Sequence, residues 1–275
     1  MHEITVKGIH KSLNENGYIC GVPFAASITS AIQTKPVSGA FLYGPAGTGK
    51  SFLPIVLSKT LGVEMFFYQC APGTREDDLV LKMLPSETTK SGVEIKKSTV
   101  FKAAEASHKN KVMLVLDEWD KTRPTADGFF LDFLQYGRLS IPGTDINANL
   151  DNMFIFFTAN DEREFHEALL RRFPKIDVNP LESSLVMSAL RLTHDGHPHL
   201  GNAIKLYEKA VMSGMSKPAT IQEIRQLLDA ISFLGKGADW NSLVYQFVTK
   251  TPENHSLLKD AQTTDYVPVD GNIAE

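Results

Sequence analysis

Gly44-Pro45-Ala46-Gly47-Thr48-Gly49-Lys50-Ser51 decides how this sequence is read. The octet fits the pattern G-x-x-x-x-G-K-[ST]; an apolar run at 39–43 precedes it, and helical spacing begins behind it at Phe52. Strand, glycine-rich turn and helix in that order make a phosphate cradle. Gly44, Gly47 and Gly49 let the backbone turn its N–H groups inward, and the helix N-terminus adds partial positive charge. Lys50 is placed to reach β and γ phosphates, and the Ser51 hydroxyl to take one position on Mg²⁺. Gly44, Pro45, Ala46, Gly47, Thr48, Gly49, Lys50, Ser51 and Phe52 are therefore the candidate nucleotide-binding residues. Read as structure alone, the octet would be a turn capping a helix.

Working outward, Val112-Met113-Leu114-Val115-Leu116-Asp117-Glu118 is an apolar strand that delivers two carboxylates at its C-terminal end, where open α/β sheets hold their ligands. Asp117 can hold the metal through water, and Glu118 can polarise an attacking water as general base. A third apolar run, 153–158, ends at Ala159-Asn160, where Asn160 could orient that water or touch the γ-phosphate; an Asn there is also a common turn former. Leu169-Leu170-Arg171-Arg172-Phe173 puts two guanidiniums at a helix end. They suit the helix dipole there, or one of them reaches a neighbouring subunit's nucleotide.

The runs 39–43, 63–69, 112–116, 153–158 and 175–178 read as five strands separated by amphipathic stretches, the pattern of a mostly parallel sheet with both faces covered. After Pro180 the spacing turns helical, at 183–192, 201–212, 220–233 and 240–248. The expected fold is an α/β three-layer sandwich over 1–180 with a small all-helical domain over 181–262; 263–275 is a polar, loosely held tail. With 275 residues, 43% hydrophobic and 22% charged, the composition excludes disordered and collagen-like chains. No apolar run is long enough for a membrane span and no signal-peptide core opens the chain, so the expected location is the cytoplasm. A net charge of −4 gives no general nucleic-acid footprint. Cys20 and Cys70 lack metal-site spacing and read as core thiols. His194, His197 and His199 read as a loop between helices rather than a metal site, because Pro198 breaks any helical ligand geometry.

These motifs in this order resemble the AAA+ ATPases, and within them the MoxR-like and dynein-related group. The resemblance implies a P-loop NTPase core, with Asp117 and Glu118 as the Walker B pair, Asn160 as sensor 1 and Arg172 as the arginine finger, Arg171 its runner-up. It makes the region after Pro180 a lid. Relatives carry a sensor 2 arginine where this chain has Gln222 in Thr220-Ile221-Gln222-Glu223-Ile224-Arg225, so Arg225, three residues on, is the candidate. Gly21-Val22-Pro23-Phe24, upstream of the first helix, resembles the segment that packs on adenine, which makes Val22 a binding candidate. Gly73-Thr74 leads into a helix through a capping-box-like Thr74-x-x-Asp77, and the segment 92–101 with Lys102-Ala103-Ala104 resembles a pore-lining hairpin. Asp120, Lys121 and Arg123 read equally as residues at a subunit boundary or as a charged loop before Pro124.

The implied cofactors are ATP and Mg²⁺, and the implied assembly is a homo-oligomeric, hexameric ring that hydrolyses ATP at subunit interfaces. The first functional expectation is a MoxR-like chaperone acting on a protein client or adaptor, such as a von Willebrand factor A-type protein. A nucleic-acid motor, with basic loops around Lys90, Lys96 and Lys97, ranks second. A nucleotide-gated assembly switch ranks third, because a pure switch needs no base at Glu118.

Overall fold

A computed structural model of the chain describes residues 4–75, 77–85, 93–141, 144–160, 163–215, 217 and 219–260. Tail positions 263–275, Lys90 and Gly92 lie outside them. The chain divides into two compact units, one of Met1–Pro45 with Gly49–Asn179, the other of Ala46–Thr48 with Pro180–Glu275.

The first unit opens with two helices, α1 (Val6–Glu15) and α2 (Val22–Gln33), followed by β1 (Ser38–Tyr43), α3 (Phe52–Leu61) and β2 (Glu64–Gln69). A hairpin of β3 (Leu81–Pro85) and β4 (Val93–Lys97) comes next, then α4 (Thr99–Ser107), β5 (Val112–Asp117) and α5 (Thr125–Tyr136). A second hairpin, β6 (Arg138–Ile141) and β7 (Thr144–Asn147), precedes β8 (Met153–Ala159), the short α6 (Glu167–Leu170) and β9 (Lys175–Asp177). The main sheet has five parallel strands in the order β2-β5-β8-β1-β9.

The unbroken apolar runs have a direct cause. On β5, Val112, Leu114 and Leu116 pack into one core cluster with α4 and α5, while Met113 and Val115 pack into another with α1, α2 and α3. On β8, Met153, Ile155 and Phe157 face the first cluster, and Phe154 and Phe156 the second. Successive side chains point to opposite faces, so a strand covered on both must be apolar throughout. Gly39 is the exception that the packing requires: its φ is +143°, and a Cβ there would lie 1.8 Å from the carbonyl oxygen of Ile155 on β8.

The five expected strands are all present, but other elements differ from expectation. Gly21-Val22-Pro23-Phe24 caps and opens α2, and α1 precedes it; Thr5 starts α1 by accepting from Gly8 N at 3.1 Å. The hairpin sits earlier than the segment 92–101, since Thr99 already begins α4. No capping box forms at Thr74, whose hydroxyl accepts from Ala71 N at 2.9 Å; only a single 3₁₀ turn, Asp77–Leu79, follows.

The second unit is helical: α7 (Ser183–His194), α8 (Leu200–Met212), α9 (Ile221–Leu234), α10 (Trp240–Val244) continued by a π turn (Tyr245–Thr249), and α11 (Pro252–Asp260), which the sequence reading lacked. A capping box starts α9: Thr220 Oγ1 accepts from Glu223 N at 3.2 Å, and Glu223 Oε2 accepts from Thr220 N at 2.8 Å. Val186, Leu190, Ala203, Leu227 and Leu228 are among its core residues. Among the described residues, no helix is long and apolar enough to cross a membrane.

Candidate active site

Parallel pairing aligns the strand ends, and that alignment builds the site. Gln69 on β2 is opposite Asp117 on β5, and Tyr43 on β1 is opposite Ala159 on β8. The glycine-rich loop, the paired carboxylates and Asn160 therefore leave the sheet along one edge. Gly44 has φ +150°, and a Cβ there would lie 2.4 Å from Val178 O, so the loop leaves β1 by a path only glycine allows.

Lys50 is the centre of this edge. Its ammonium donates to Gly44 O at 2.7 Å, Pro45 O at 2.6 Å and Asn160 Oδ1 at 2.9 Å, so the structure joins two of the sequence candidates directly. Burial pulls the Lys50 pKa below its ordinary value, with the carboxylates of Asp120, Asp117 and Glu118 acting the other way. Ser51 stands at the N-terminus of α3, and its hydroxyl caps no helix N–H.

Asp117 is buried, and its Oδ1 accepts from the Thr158 hydroxyl at 2.6 Å. Thr158 Oγ1 in turn accepts from Glu118 N at 2.9 Å, so one side chain on β8 fixes both members of the pair. Glu118 has φ +54° and ψ +47°, a left-handed conformation that costs a non-glycine residue about 1–3 kcal/mol. This breaks the strand and sends the chain into the 3₁₀ turn Trp119–Lys121. Gln69 Nε2 donates to Glu118 Oε2 at 3.5 Å and restrains the carboxylate from β2. Asp120, read from the sequence equally as a subunit-boundary residue or part of a charged loop, is buried at 6% exposure, and neither carboxylate oxygen has a hydrogen-bond partner among the described residues.

This donor set fits Mg²⁺, a hard cation that takes oxygen ligands. Ser51 offers a hydroxyl and Asp117 a carboxylate with one oxygen engaged, while both oxygens of the buried Asp120 carboxylate lack a hydrogen-bond partner among the described residues.

Beside Gly49 lies an aromatic group whose central ring, Tyr18, was absent from the sequence candidates. Tyr18 stacks on Phe24 with ring centroids 5.9 Å apart and meets Phe52 at 6.1 Å; a Cβ on Gly49 would touch the Tyr18 ring at 3.3 Å. Phe52 thus belongs to this group, while Val22 is exposed in the first turn of α2.

Arg172 follows α6, where its guanidinium donates to Ala168 O at 2.7 Å and to Gln135 Oε1 of α5 at 2.8 Å. Arg171 is exposed and paired with Glu167 at 2.5 Å. Arg225 belongs to the second unit, where it donates to Ala189 O of α7 at 2.7 Å, and burial lowers its pKa. Both cysteines are buried, and burial pushes the Cys70 thiol up to about 12, consistent with a core role. No metal-binding group of His, Cys, Asp or Glu is found among the described residues.

A buried ion pair was also invisible in the sequence. Arg163 donates to Asp127 Oδ2 at 3.0 Å and Oδ1 at 2.8 Å, and Asp127 further accepts from Trp119 Nε1 at 2.7 Å and His166 N at 2.8 Å. It ties the turn behind Glu118 to α5 and to the segment leading into α6. Asp127 is 1% exposed, so Arg163→Ala strands a buried charge and should lower stability by about 3–5 kcal/mol. Urea unfolding checks this, and an unchanged midpoint would show that the pair holds nothing. A cavity of about 570 Å³ nearby, lined by Tyr43, Arg163, Phe165, Leu170 and Lys175 among others, includes none of the motif residues.

Comparison with known proteins agrees with the fold. The family model of the AAA domain (dynein-related subfamily) matches residues 39–173. No curated protein matches the sequence. Among solved structures, NtrX from Brucella abortus in complex with ADP superposes with a TM-score of 0.52 at 14% identity, over 80% of this chain and 52% of that one. The chain thus spans about half the length of that structure, and at this identity the likeness speaks for the fold alone. Residues 39–173 thus match the AAA domain of the dynein-related subfamily, on a five-stranded parallel α/β core.

Proposed function

We propose that this chain binds and hydrolyses ATP at the interfaces of an oligomeric ring and uses the cycle to remodel a protein client. The observation that carries the reading is the convergence of Lys50, Asn160, Asp117 and Glu118 on one sheet edge, with Glu118 held by Gln69 and Thr158. Lys50 exchanges its carbonyl partners for phosphate oxygens, Glu118 takes a proton from the attacking water, and Asn160 orients that water. Ser51 and Asp117 would hold Mg²⁺, which neutralises charge on the β and γ oxygens when bound. The ADP held by NtrX supports nucleotide as the ligand. Tyr18, Phe24 and Phe52 offer the base an apolar wall, and Arg172 acts on a neighbouring subunit's nucleotide.

The hairpin lysines give the nucleic-acid reading little support. Lys96 pairs with Glu94 at 3.4 Å, Lys97 with Glu105 at 2.6 Å, and Lys82 lies over the Tyr68 ring. Release of inorganic phosphate from ATP, with Mg²⁺ and with EDTA, tests the proposal. Mg²⁺-dependent release supports it; no release under any condition, despite bound ATP, would favour the assembly switch.

A further inference from the structure

We propose that Asp120 is a third carboxylate of the phosphate site, holding the water shell of the divalent cation that Ser51 and Asp117 would hold. The inference rests on the nucleotide reading above and adds to it a residue outside the motif.

Asp120 sits on the turn directly after Glu118, and that turn is fixed: the Trp119 side chain is fully buried and its indole N–H is locked on Asp127. The Asp120 carboxylate is 6% exposed with both oxygens unpartnered among the described residues. A buried ionised carboxylate without hydrogen bonds or a counter-charge is strongly disfavoured, so native proteins pair such groups or place them on metals. Lys50 is the cation of this sheet edge. Yet that ammonium is already taken by Gly44 O, Pro45 O and Asn160 Oδ1. Arg163 is likewise committed to Asp127. Carboxylates beside a bound metal usually act through its ligands or waters.

The test is the affinity of the full chain for a fluorescent, non-hydrolysable ATP analogue, with Mg²⁺ and with EDTA, in the parent and in Asp120→Asn. Thermal unfolding without nucleotide accompanies it. The parent should bind more tightly with Mg²⁺. Asp120→Asn should lose about 10- to 100-fold of affinity in Mg²⁺. Its affinity in EDTA should be no weaker, and its nucleotide-free melting temperature no lower, because the amide replaces an unpaired charge. Asp120→Ser, which removes the carboxylate without adding bulk, must lose the Mg²⁺ advantage in the same way. An undiminished Mg²⁺ advantage in the variants would overturn the proposal, and with a lower nucleotide-free melting temperature it would assign Asp120 to folding. A parent that binds the analogue under neither condition would overturn the nucleotide reading itself, and this inference with it.

Discussion

Replacing Arg172 by alanine is expected to lower ATP turnover about 10³- to 10⁵-fold, the range over which arginine fingers act, with ATP affinity little changed. The guanidinium is positioned by two neutral acceptors, Ala168 O and Gln135 Oε1, and pairs with no carboxylate among the described residues. Its charge is therefore available to an incoming phosphate. Arg171 already spends its charge on Glu167 in an exposed pair, which is worth about 0–1 kcal/mol, so Arg171→Ala should leave turnover near the parent value. Phosphate release by the two variants side by side, with sedimentation to confirm equal assembly, decides between them. Normal turnover in Arg172→Ala would remove the finger assignment, and loss in Arg171→Ala alone would transfer it.

Glu118→Gln should reduce hydrolysis by about 10²- to 10⁴-fold while leaving Mg²⁺-dependent ATP binding intact. The amide keeps the size and the left-handed backbone of Glu118, and the backbone N–H still reaches Thr158 Oγ1, but the side chain can no longer accept a proton from water. Lys50, Ser51 and Asp117 are untouched, so ATP should accumulate on the protein and hold it in its assembled state. Single-turnover hydrolysis and ATP retention on the same sample check both halves. Hydrolysis at the parent rate would mean that another group is the base.

What could be read from the sequence was local, and what could not was made by pairing distant segments. The loop from Gly44 to Ser51 carries its chemistry in consecutive residues, and β5 and β8 declare themselves because burial on both faces forces unbroken apolar runs. Asp117 and Glu118 follow from their place at a strand end. Gln69, Thr158 and Tyr18 did not stand out: a glutamine ending a strand, a threonine within one and a tyrosine after a helix acquire roles only when β2, β8 and α1 are set beside the loop. The Arg163–Asp127 pair spans 36 residues and leaves no periodic trace. Asp120 stayed open between a subunit boundary and a charged loop, because its neighbours Lys121 and Arg123 suit either; the burial of its carboxylate shows only once the locked Trp119 carries the turn inward. The hairpin was displaced because the lysines of β4 run into α4 without a proline or glycine to mark the boundary.

The measurement that bears most directly on the central claim is specific ATPase activity of the unmodified chain as a function of its concentration. A site completed by Arg172 of a neighbouring copy predicts activity per subunit that rises with concentration and levels off once the ring is populated. Activity per subunit that is constant down to concentrations where the protein sediments as a monomer would contradict it, since each chain would then hydrolyse ATP alone.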